Sequence, residues 1–232
     1  MTRFTKLAAG LACTLLVGAG ASATTVPFTE NFDVDVSGWE DNVNDPLTFV
    51  ASGGPDGSSY ASAAFNYLGF SSPFGGGPVI FRAGDSDDAS GDAFVGDWLA
   101  DGVGEVSVWV RHDTPEDLTF FLRVATSFNF PGAVIGSEQV VPPNTWTQVF
   151  FDIDPSSPLC IGETVTCADA LASVGNFQLG TDAPASLVAT DFAYTLDVDQ
   201  ASLTPVPEPG TALQLVTGIA GLALLGRKRV RR

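Results

Sequence analysis

Apolar and polar residues alternate along two neighbouring runs near the middle of the chain. Residues 106–112 and 118–125 place Val, Leu or Phe at every second position, which is the pattern of a strand with one buried face. Five residues, 113–117, lie between the runs, a length typical of hairpin loops. We therefore predict a hairpin in which His112 pairs with Leu118, so that the apolar side chains of both strands share one face.

Shorter alternating runs continue this pattern on both sides of the predicted hairpin. Further strands are expected at residues 47–51, 59–66, 79–82, 146–153, 176–179 and 192–198. Fifteen prolines and 25 glycines separate the runs, and residues 168–174 offer at most a short helical turn. About nine or ten short strands at this spacing predict an all-β fold, an antiparallel two-sheet sandwich.

The N-terminal residues 1–23 have the composition of a secretory signal peptide. A basic start is followed by an uncharged apolar run at 7–21, which ends in the small residues Ala-Ser-Ala. This order of parts predicts export and cleavage by signal peptidase between Ala23 and Thr24. The segment is therefore set aside from the fold, and the mature domain is expected at residues 24–205.

The C-terminal end of the chain consists of three adjoining parts. The triplet Pro207, Glu208 and Pro209 comes first, an apolar run at about 211–226 follows, and a basic tail occupies 227–232. An apolar helix satisfies its own backbone groups in lipid, and a basic cluster stays on the cytoplasmic side. The run is shorter than the roughly 20 residues of an ordinary span, so we predict a minimal transmembrane helix that anchors the precursor.

The order of these parts within residues 206–232 resembles the PEP-CTERM sorting signal of exported proteins in Gram-negative bacteria that make exopolysaccharide. The resemblance implies processing near the Pro-Glu-Pro triplet by an exosortase-type membrane protease. It also implies a membrane-anchored precursor that has crossed the inner membrane, and a final place at the cell surface or in the extracellular matrix. The alternative is an ordinary single-pass anchor whose helix is retained.

Charge and cysteine content add to this picture. Residues 24–205 contain three arginines, no lysine and 26 of the 27 acidic residues, so the domain repels nucleic acid and anionic lipid. This composition excludes a nucleic-acid-binding function.

Cys160 and Cys167 flank a short loop, and an even pair in an oxidising compartment predicts a disulfide.

Several short segments between residues 26 and 203 resemble the jelly-roll ectodomains found with PEP-CTERM tails, which are similar to carbohydrate-binding modules and laminin-G-like domains. The segments are residues 30–33, 38–39, 91–97, 144–146 and 194–197. The resemblance implies a jelly-roll sandwich.

Related jelly-roll modules hold a structural calcium ion where the first and last strands are neighbours, and calcium prefers oxygen ligands. The candidate calcium ligands in this chain are Glu30, Asp33, Asp197 and Asp199. The alternative is that these four are only exposed residues of the strand faces.

Enzyme motifs are scarce in the sequence. The chain has one histidine, His112, which excludes a histidine-based zinc site, and no nucleophile elbow precedes a helix. We therefore predict a non-catalytic exported protein whose sandwich binds polysaccharide or surface partners. A secreted glycan hydrolase that uses two carboxylates is the alternative, because such an enzyme needs no histidine.

The polar face of the predicted hairpin offers a candidate ligand-binding site. It carries two aromatic and two cationic side chains: Trp109, Arg111, Phe121 and Arg123. Sugar rings stack on flat aromatic faces, and arginine hydrogen-bonds hydroxyls or carboxylates with a planar fork. An acidic exopolysaccharide would dock there. The alternative is that another element covers this face and the aromatic residues form a cross-strand packing pair.

Overall fold

The alternating runs of the sequence form strands. A computed structural model describes residues 24–71 and 77–206, and this part of the chain contains eleven strands. They are β1 (Phe28–Glu30), β2 (Thr48–Val50), β3 (Tyr60–Asn66), β4 (Val79–Gly84), β5 (Val103–His112), β6 (Leu118–Ala125), β7 (Gly132–Val141), β8 (Thr147–Asp152), β9 (Cys160–Gly162), β10 (Asn176–Thr181) and β11 (Ala193–Pro205). The same part has two short helices, α1 (Cys167–Leu171) and α2 (Ala185–Val188), and two 3₁₀ turns, Asp85–Asp87 and Ala89–Asp92.

The strands form two antiparallel sheets, which we call sheet A and sheet B. Sheet A has the order β2-β3-β11-β5-β8, with β1 also paired to β11, and sheet B has the order β4-β10-β6-β7-β9. The chain crosses from one sheet to the other after β3, β4, β5, β7, β8 and β10. The prediction of an all-β, antiparallel two-sheet jelly-roll sandwich is confirmed.

The core lies between the inner faces of the two sheets. Alternate side chains of β5 and β6 are buried there, namely Val106, Val108, Val110, Leu118, Phe120, Leu122 and Val124. Aromatic rings fill part of the core, with Phe94 and Phe177 4.6 Å apart between ring centroids and Trp39 at 5.7 Å from Phe94. Burial of a large apolar side chain contributes roughly 1.5–3 kcal/mol, so these aromatic contacts hold the sheets together.

The predicted hairpin of β5 and β6 is wrong. β5 lies in sheet A between β11 and β8, whereas β6 lies in sheet B between β10 and β7. The alternating pattern identifies the buried face of each strand but not its partner. Because packed sheets are about 10 Å apart, five connecting residues are long enough to cross the core edge as well as to turn back. The apolar faces of β5 and β6 therefore face each other across the core.

The remaining strand predictions are confirmed to within a few residues, except that β11 extends to Pro205 and three further strands appear. The unpredicted strands are β1, β7 and β9. β1 and β9 are three residues long, too short to show alternation. β7 is ten residues long, but Gly-Ser-Glu-Gln at 136–139 interrupts its alternation, and its register with β6 shifts between Thr119 and Phe121.

The predicted disulfide is confirmed, since Cys160 at the start of β9 is bonded to Cys167 at the start of α1. A capping box begins α1, because the hydroxyl of Thr166 accepts from the backbone N–H of Asp169 and the Asp169 carboxylate accepts in return. The loop between the two cysteines is thus fixed at both ends.

Several predictions concern residues outside the described part of the chain. They are the signal peptide at 1–23 with its final Ala23, the triplet Pro207–Pro209, the helix at 211–226 and the basic tail at 227–232. These stay predictions. Across 24–71 and 77–206, no helix is both long and apolar enough to cross a membrane.

Candidate ligand-binding groove

The four residues of the predicted ligand-binding face lie on opposite sides of the sandwich. Trp109 and Arg111 are on the outer face of sheet A, whereas Phe121 and Arg123 are on the outer face of sheet B. They are separated because β5 and β6 belong to different sheets. The structure therefore does not bring the four side chains together on one surface, and each outer face has to be considered by itself.

Arg111 is held tightly on the outer face of sheet A. Its Nε donates to Oδ2 of Asp197 at 2.8 Å, Nη2 lies 2.8 Å from the same oxygen, and Nη2 donates to the Tyr60 hydroxyl at 3.0 Å. Its guanidinium carbon lies 5.1 Å from the ring centroid of Tyr60 and 4.6 Å from that of Trp146. Arginine stacked on aromatic rings and paired with a buried carboxylate stabilises the face rather than offering itself to a ligand.

A loop at residues 51–59 covers the neighbouring part of this face. The carbonyl oxygen of Gly53 accepts from Nε1 of Trp146 at 2.9 Å, and the Ser58 hydroxyl donates to Oδ2 of Asp199 at 3.0 Å. Asp199 is fully buried, and this burial raises its pKa to about 6. A Cβ atom on Gly54 would lie 2.8 Å from the same carboxylate, so glycine permits the close approach.

Three of the four predicted calcium ligands are engaged by different partners. Asp197 binds Arg111, and Asp199 accepts from Ser58 and from the backbone N–H of Gln200. Glu30 accepts from the backbone N–H of Phe32 at 2.9 Å. The remaining ligand, Asp33, lines a groove together with Glu30. Within the described ranges, no group of three or more His, Cys, Asp or Glu side chains is placed to hold a metal ion. Calcium binding by these residues stays a prediction.

Arg123 is the centre of a hydrogen-bonded cluster on the outer face of sheet B. Its Nε and Nη2 each donate to one oxygen of Glu163 at 2.6 Å. Nη1 donates to Oδ1 of Asn129 at 2.9 Å and to Oε1 of Gln178 at 2.7 Å, and Nη2 donates to the carbonyl oxygen of Asn129 at 2.9 Å. A guanidinium group has five N–H donors, and all five are used here.

A groove of about 430 Å³ lies beside this cluster, where the ends of β4 and β10 meet. We call it the sheet B groove. It is lined by Glu40, Asn44, Arg82, Gly84, Ser86, Asp87, Ser127, Phe128, Asn129 and Asn176. Phe128 stands at its rim with 92% of its surface exposed. The groove therefore combines amide, hydroxyl, carboxylate and guanidinium groups with one flat apolar ring.

Arg82 is the cation of the sheet B groove, and it is half-buried on β4. Its buried Nε has no hydrogen-bond partner in the described part of the chain. Burial lowers the pKa of Arg82, and the nearby charge of Arg123 lowers it further. A buried unpaired donor costs about 1–3 kcal/mol, so the fold holds Arg82 in this place at a cost to its stability.

Two carboxylates share the sheet B groove with Arg82. The backbones of Glu40 and Arg82 exchange hydrogen bonds of 2.9 and 2.8 Å, which place Glu40 on the wall beside β4. Partial burial and the charge of Asp87 raise the pKa of the Glu40 carboxyl, whereas Arg82 lowers it. The groove thus contains both donors and acceptors, which suits the hydroxyl groups of a sugar.

Two other grooves of similar volume, about 440 and 490 Å³, differ in chemistry. One is lined by β1 with Asp33, Asp88 and neighbouring residues, and the other by Glu105, Asp152 and Asp154 at the edge of sheet A. Among the residues that the structure describes, neither groove is lined by a cationic side chain. In an acidic domain such grooves present mainly acceptors, and they offer fewer ways to hold a sugar ring.

His112 has a structural place in the fold. Its side chain is buried, Nε2 donates to the carbonyl oxygen of Val141 at 2.9 Å, and the Thr114 hydroxyl lies 2.8 Å from Nδ1. Burial lowers the pKa of His112 and so favours its neutral form. A buried histidine with both ring nitrogens engaged does not serve as a catalytic base for an external substrate.

The sequence pattern does not reveal the sheet B groove. Arg82 stands within an apolar run, and its neighbours Asn129 and Asn176 come from loops and strands about 50 or more positions away along the chain. One local signal is visible: the sequence Ser127-Phe-Asn-Phe-Pro131 places two phenylalanines in a turn, and both Phe128 and Phe130 are exposed. Exposed aromatic residues in a loop indicate an interaction surface.

No protein-family model matches the chain, and no curated protein matches it. Solved structures do match. The chain is similar to an exo-β-agarase with a TM-score of 0.50 and 12% identity, over 79% of this chain and 26% of that chain. It is similar to the CBM22-1 and GH10 modules of Clostridium thermocellum endo-1,4-β-D-xylanase 10B, complexed with xylohexaose, with a TM-score of 0.48, 16% identity and coverage of 78% and 28%.

The L4b domain of human laminin α-2 is a third similar structure, with a TM-score of 0.47, 9% identity and coverage of 79% of this chain and 99% of that domain. The chain spans about a quarter of the length of the agarase and xylanase chains. At 12% identity, the likeness to the agarase concerns the fold alone, and it agrees with the two-sheet sandwich described above.

Proposed function

We propose that the domain binds polysaccharide without catalysis, and that the sheet B groove is its binding site. One observation carries the proposal: Arg82 lies half-buried in the wall of the groove with an unpaired Nε, and the exposed ring of Phe128 lines the same groove. A sugar offers hydroxyl oxygens to the guanidinium and an apolar face to the ring. Asn44, Asn176 and the two carboxylates supply further hydrogen-bonding groups.

The test removes one contact at a time. Arg82→Met keeps the apolar stem but removes the guanidinium, and Phe128→Ala removes the ring. Each should weaken binding roughly two- to tenfold in affinity electrophoresis on a panel of neutral and acidic polysaccharides, because contacts of this kind contribute about 0.5–1.5 kcal/mol. Phe150→Ala is the matched control, since Phe150 is an exposed phenylalanine on sheet A. Equal losses for all three variants, or binding to no polysaccharide, would reject the groove.

The proposal extends to an exported protein at the cell surface or in the extracellular matrix, with its tail processed by an exosortase-type enzyme. The terminal segments of the sequence and the disulfide support this part. Calcium binding at Glu30, Asp33, Asp197 and Asp199 also remains a prediction.

A contact at the start of the described chain supports cleavage before Thr24. The backbone nitrogen of Thr24 donates to Oδ2 of Asp101 at 2.8 Å, and the Thr24 hydroxyl donates to the carbonyl oxygen of Val95 at 3.3 Å. Cleavage would turn this nitrogen into an ammonium group beside a carboxylate, which strengthens the bond.

The mature N-terminus can therefore be checked by mass and by stability. We expect intact mass spectrometry of the exported protein to show Thr24 as its first residue. Asp101→Asn should destabilise a protein that starts at Thr24 by about 1 kcal/mol, and destabilise one with an added N-terminal alanine by less. Equal effects in the two proteins would argue against an ammonium–carboxylate pair.

Glycan hydrolysis is the second candidate function, and the pair Glu40 and Asp87 in the sheet B groove is the observation that favours it. The pKa of Glu40 is raised by burial and by Asp87, which is the direction that a general acid requires. We expect no release of reducing ends from any polysaccharide that binds. Release that disappears in Glu40→Gln, with binding retained, would instead favour the hydrolase.

A further inference from the structure

We infer that Arg123 is a positioning residue of the sheet B groove, and that the disulfide loop between Cys160 and Cys167 braces it through Glu163. In this arrangement the loop holds Glu163 against Arg123, Arg123 holds Asn129, and Asn129 fixes the turn that carries Phe128. We call this series of contacts the rim brace. The role of the rim brace in binding rests on the proposed function, because it assumes that the sheet B groove is a binding site.

The first step of the rim brace is the saturation of Arg123. Glu163 accepts two of its hydrogen bonds at 2.6 Å, Asn129 accepts two at 2.9 Å and Gln178 accepts one at 2.7 Å. No N–H donor of this guanidinium is left for a ligand. Arg123 therefore acts on the groove through the groups it holds, in contrast to Arg82.

The second step is the attachment of the rim turn at residues 126–131. Asn129 has a φ of +61°, a left-handed conformation that asparagine tolerates better than most residues. Its Oδ1 accepts from both Arg123 and Gln178, at 2.9 and 2.7 Å, and its carbonyl oxygen accepts a further bond from Arg123. The turn is also tied by Nδ2 of Asn176, which donates to the carbonyl oxygen of Thr126 at 2.7 Å. Exposed Phe128 stands between these two attachments.

The third step is the disulfide loop, which supplies Glu163. β9 pairs with the sheet through three residues of β7 only, and the Glu163 backbone N–H donates to the carbonyl oxygen of Gly132 at 2.9 Å. Seven positions separate Cys160 from Cys167, so the disulfide closes a small ring around Glu163. Closing a short ring removes alternative conformations of the loop, and this keeps the carboxylate facing Arg123.

Hydrogen–deuterium exchange tests the rim brace directly. The full domain is compared before and after reduction of the disulfide, and as Glu163→Gln with the disulfide intact. Both changes should raise amide exchange at residues 126–130 about tenfold, because local opening becomes easier, and leave the loop at 51–58 on sheet A unchanged. Glu138→Gln, an acid-to-amide change at an exposed position of β7, is the matched control and should change neither segment.

Binding to the polysaccharide that the panel identifies is measured on the same samples. We expect Glu163→Gln and Arg123→Lys to weaken binding about three- to tenfold with little change in Tm, since they loosen the rim without removing a ligand contact. Lysine keeps the charge but offers a point donor in place of the fork. Unchanged exchange at 126–130 would overturn the rim brace, and increased exchange with unchanged affinity would overturn its role in binding. If no polysaccharide binds, the proposed function fails, and exchange still decides whether the brace exists.

Discussion

The two outer faces of the sandwich each contain an arginine bound to a carboxylate, but the two arginines have different surroundings. On sheet A, Arg111 lies against the rings of Tyr60 and Trp146, beside a loop that is folded over the strand face. On sheet B, Arg123 joins three separate segments through Glu163, Asn129 and Gln178 and leaves a groove open beside them. On sheet A the arginine and the loop cover the strand face, whereas on sheet B a groove remains accessible beside the arginine.

The difference shows which property of an arginine indicates a binding site. Proximity to aromatic residues is present on sheet A, yet the donors of Arg111 are largely used within the protein. All five N–H donors of Arg123 likewise have hydrogen-bond partners within the protein. Arg82 alone among the three arginines of the described domain has a buried donor without a partner. An unsatisfied, half-buried donor that lines a groove is the more informative sign.

The largest expected effect is a difference in the free energy of unfolding that is lost when each of the two ion-paired arginines is removed. Arg111→Ala leaves Asp197, which is 4% exposed, without its partner, and should lower the free energy of unfolding by about 3 kcal/mol. Arg123→Ala should lower it by only about 1–2 kcal/mol, because the Glu163 side chain is already 25% exposed and stays partly hydrated. Urea denaturation measures both. Equal losses would mean that the two faces do not differ in the way described.

Strand faces were predictable from the sequence, whereas strand partners were not. Side-chain alternation correctly gave the buried sides of β5 and β6, since Val108 and Leu122 are both fully buried. Alternation is a local property of one strand, but pairing depends on whether the connection turns back or crosses between sheets. Because the connection between β5 and β6 crosses between the sheets, Arg111 and Arg123 lie on opposite faces, and the predicted four-residue site does not form.

The sheet B groove depends on contacts that lie far apart in the sequence. Arg123 and Gln178 are 55 positions apart, and Arg123 and Glu163 are 40 apart. No spacing rule connects such residues, because they meet only through the order of strands in sheet B. The disulfide could be predicted since its two cysteines are close in sequence and no other pair competes in the mature domain.

The second prediction concerns pH and sheet A. The pKa of Asp199 is raised to about 6 in the folded domain by burial, against 3.8 for an ordinary aspartate. The folded state therefore holds this proton more tightly than the unfolded state. The resulting stabilisation is complete below about pH 4 and is lost as the pH rises through about 6.

Asp199→Asn removes this titration and gives the measurable difference. Relative to the wild type, the variant should gain about 2–3 kcal/mol of stability between pH 4 and pH 8, with most of the change between pH 4 and pH 6. Urea midpoints of both proteins across that range provide the test. A difference that does not vary with pH would show that Asp199 titrates normally. Water would then reach its carboxylate more readily than the burial of this residue indicates.

The smallest expected effect concerns the charge of the ligand at the sheet B groove. One cation, Arg82, lines this groove together with two carboxylates, Glu40 and Asp87, and the surrounding domain is strongly acidic. A neutral polysaccharide meets no repulsion there, whereas an acidic one is repelled by the field of the whole domain. At low ionic strength we expect neutral chains to bind a few-fold more tightly than acidic chains of similar backbone, and the preference should fade at about 0.5 M salt, where screening is strong.

Arg82→Met should weaken neutral and acidic binding alike if the guanidinium acts mainly as a hydrogen-bond donor. A loss confined to acidic polysaccharides would show that it acts as a charge, and the open face of the sandwich would then be specific for carboxylated glycans.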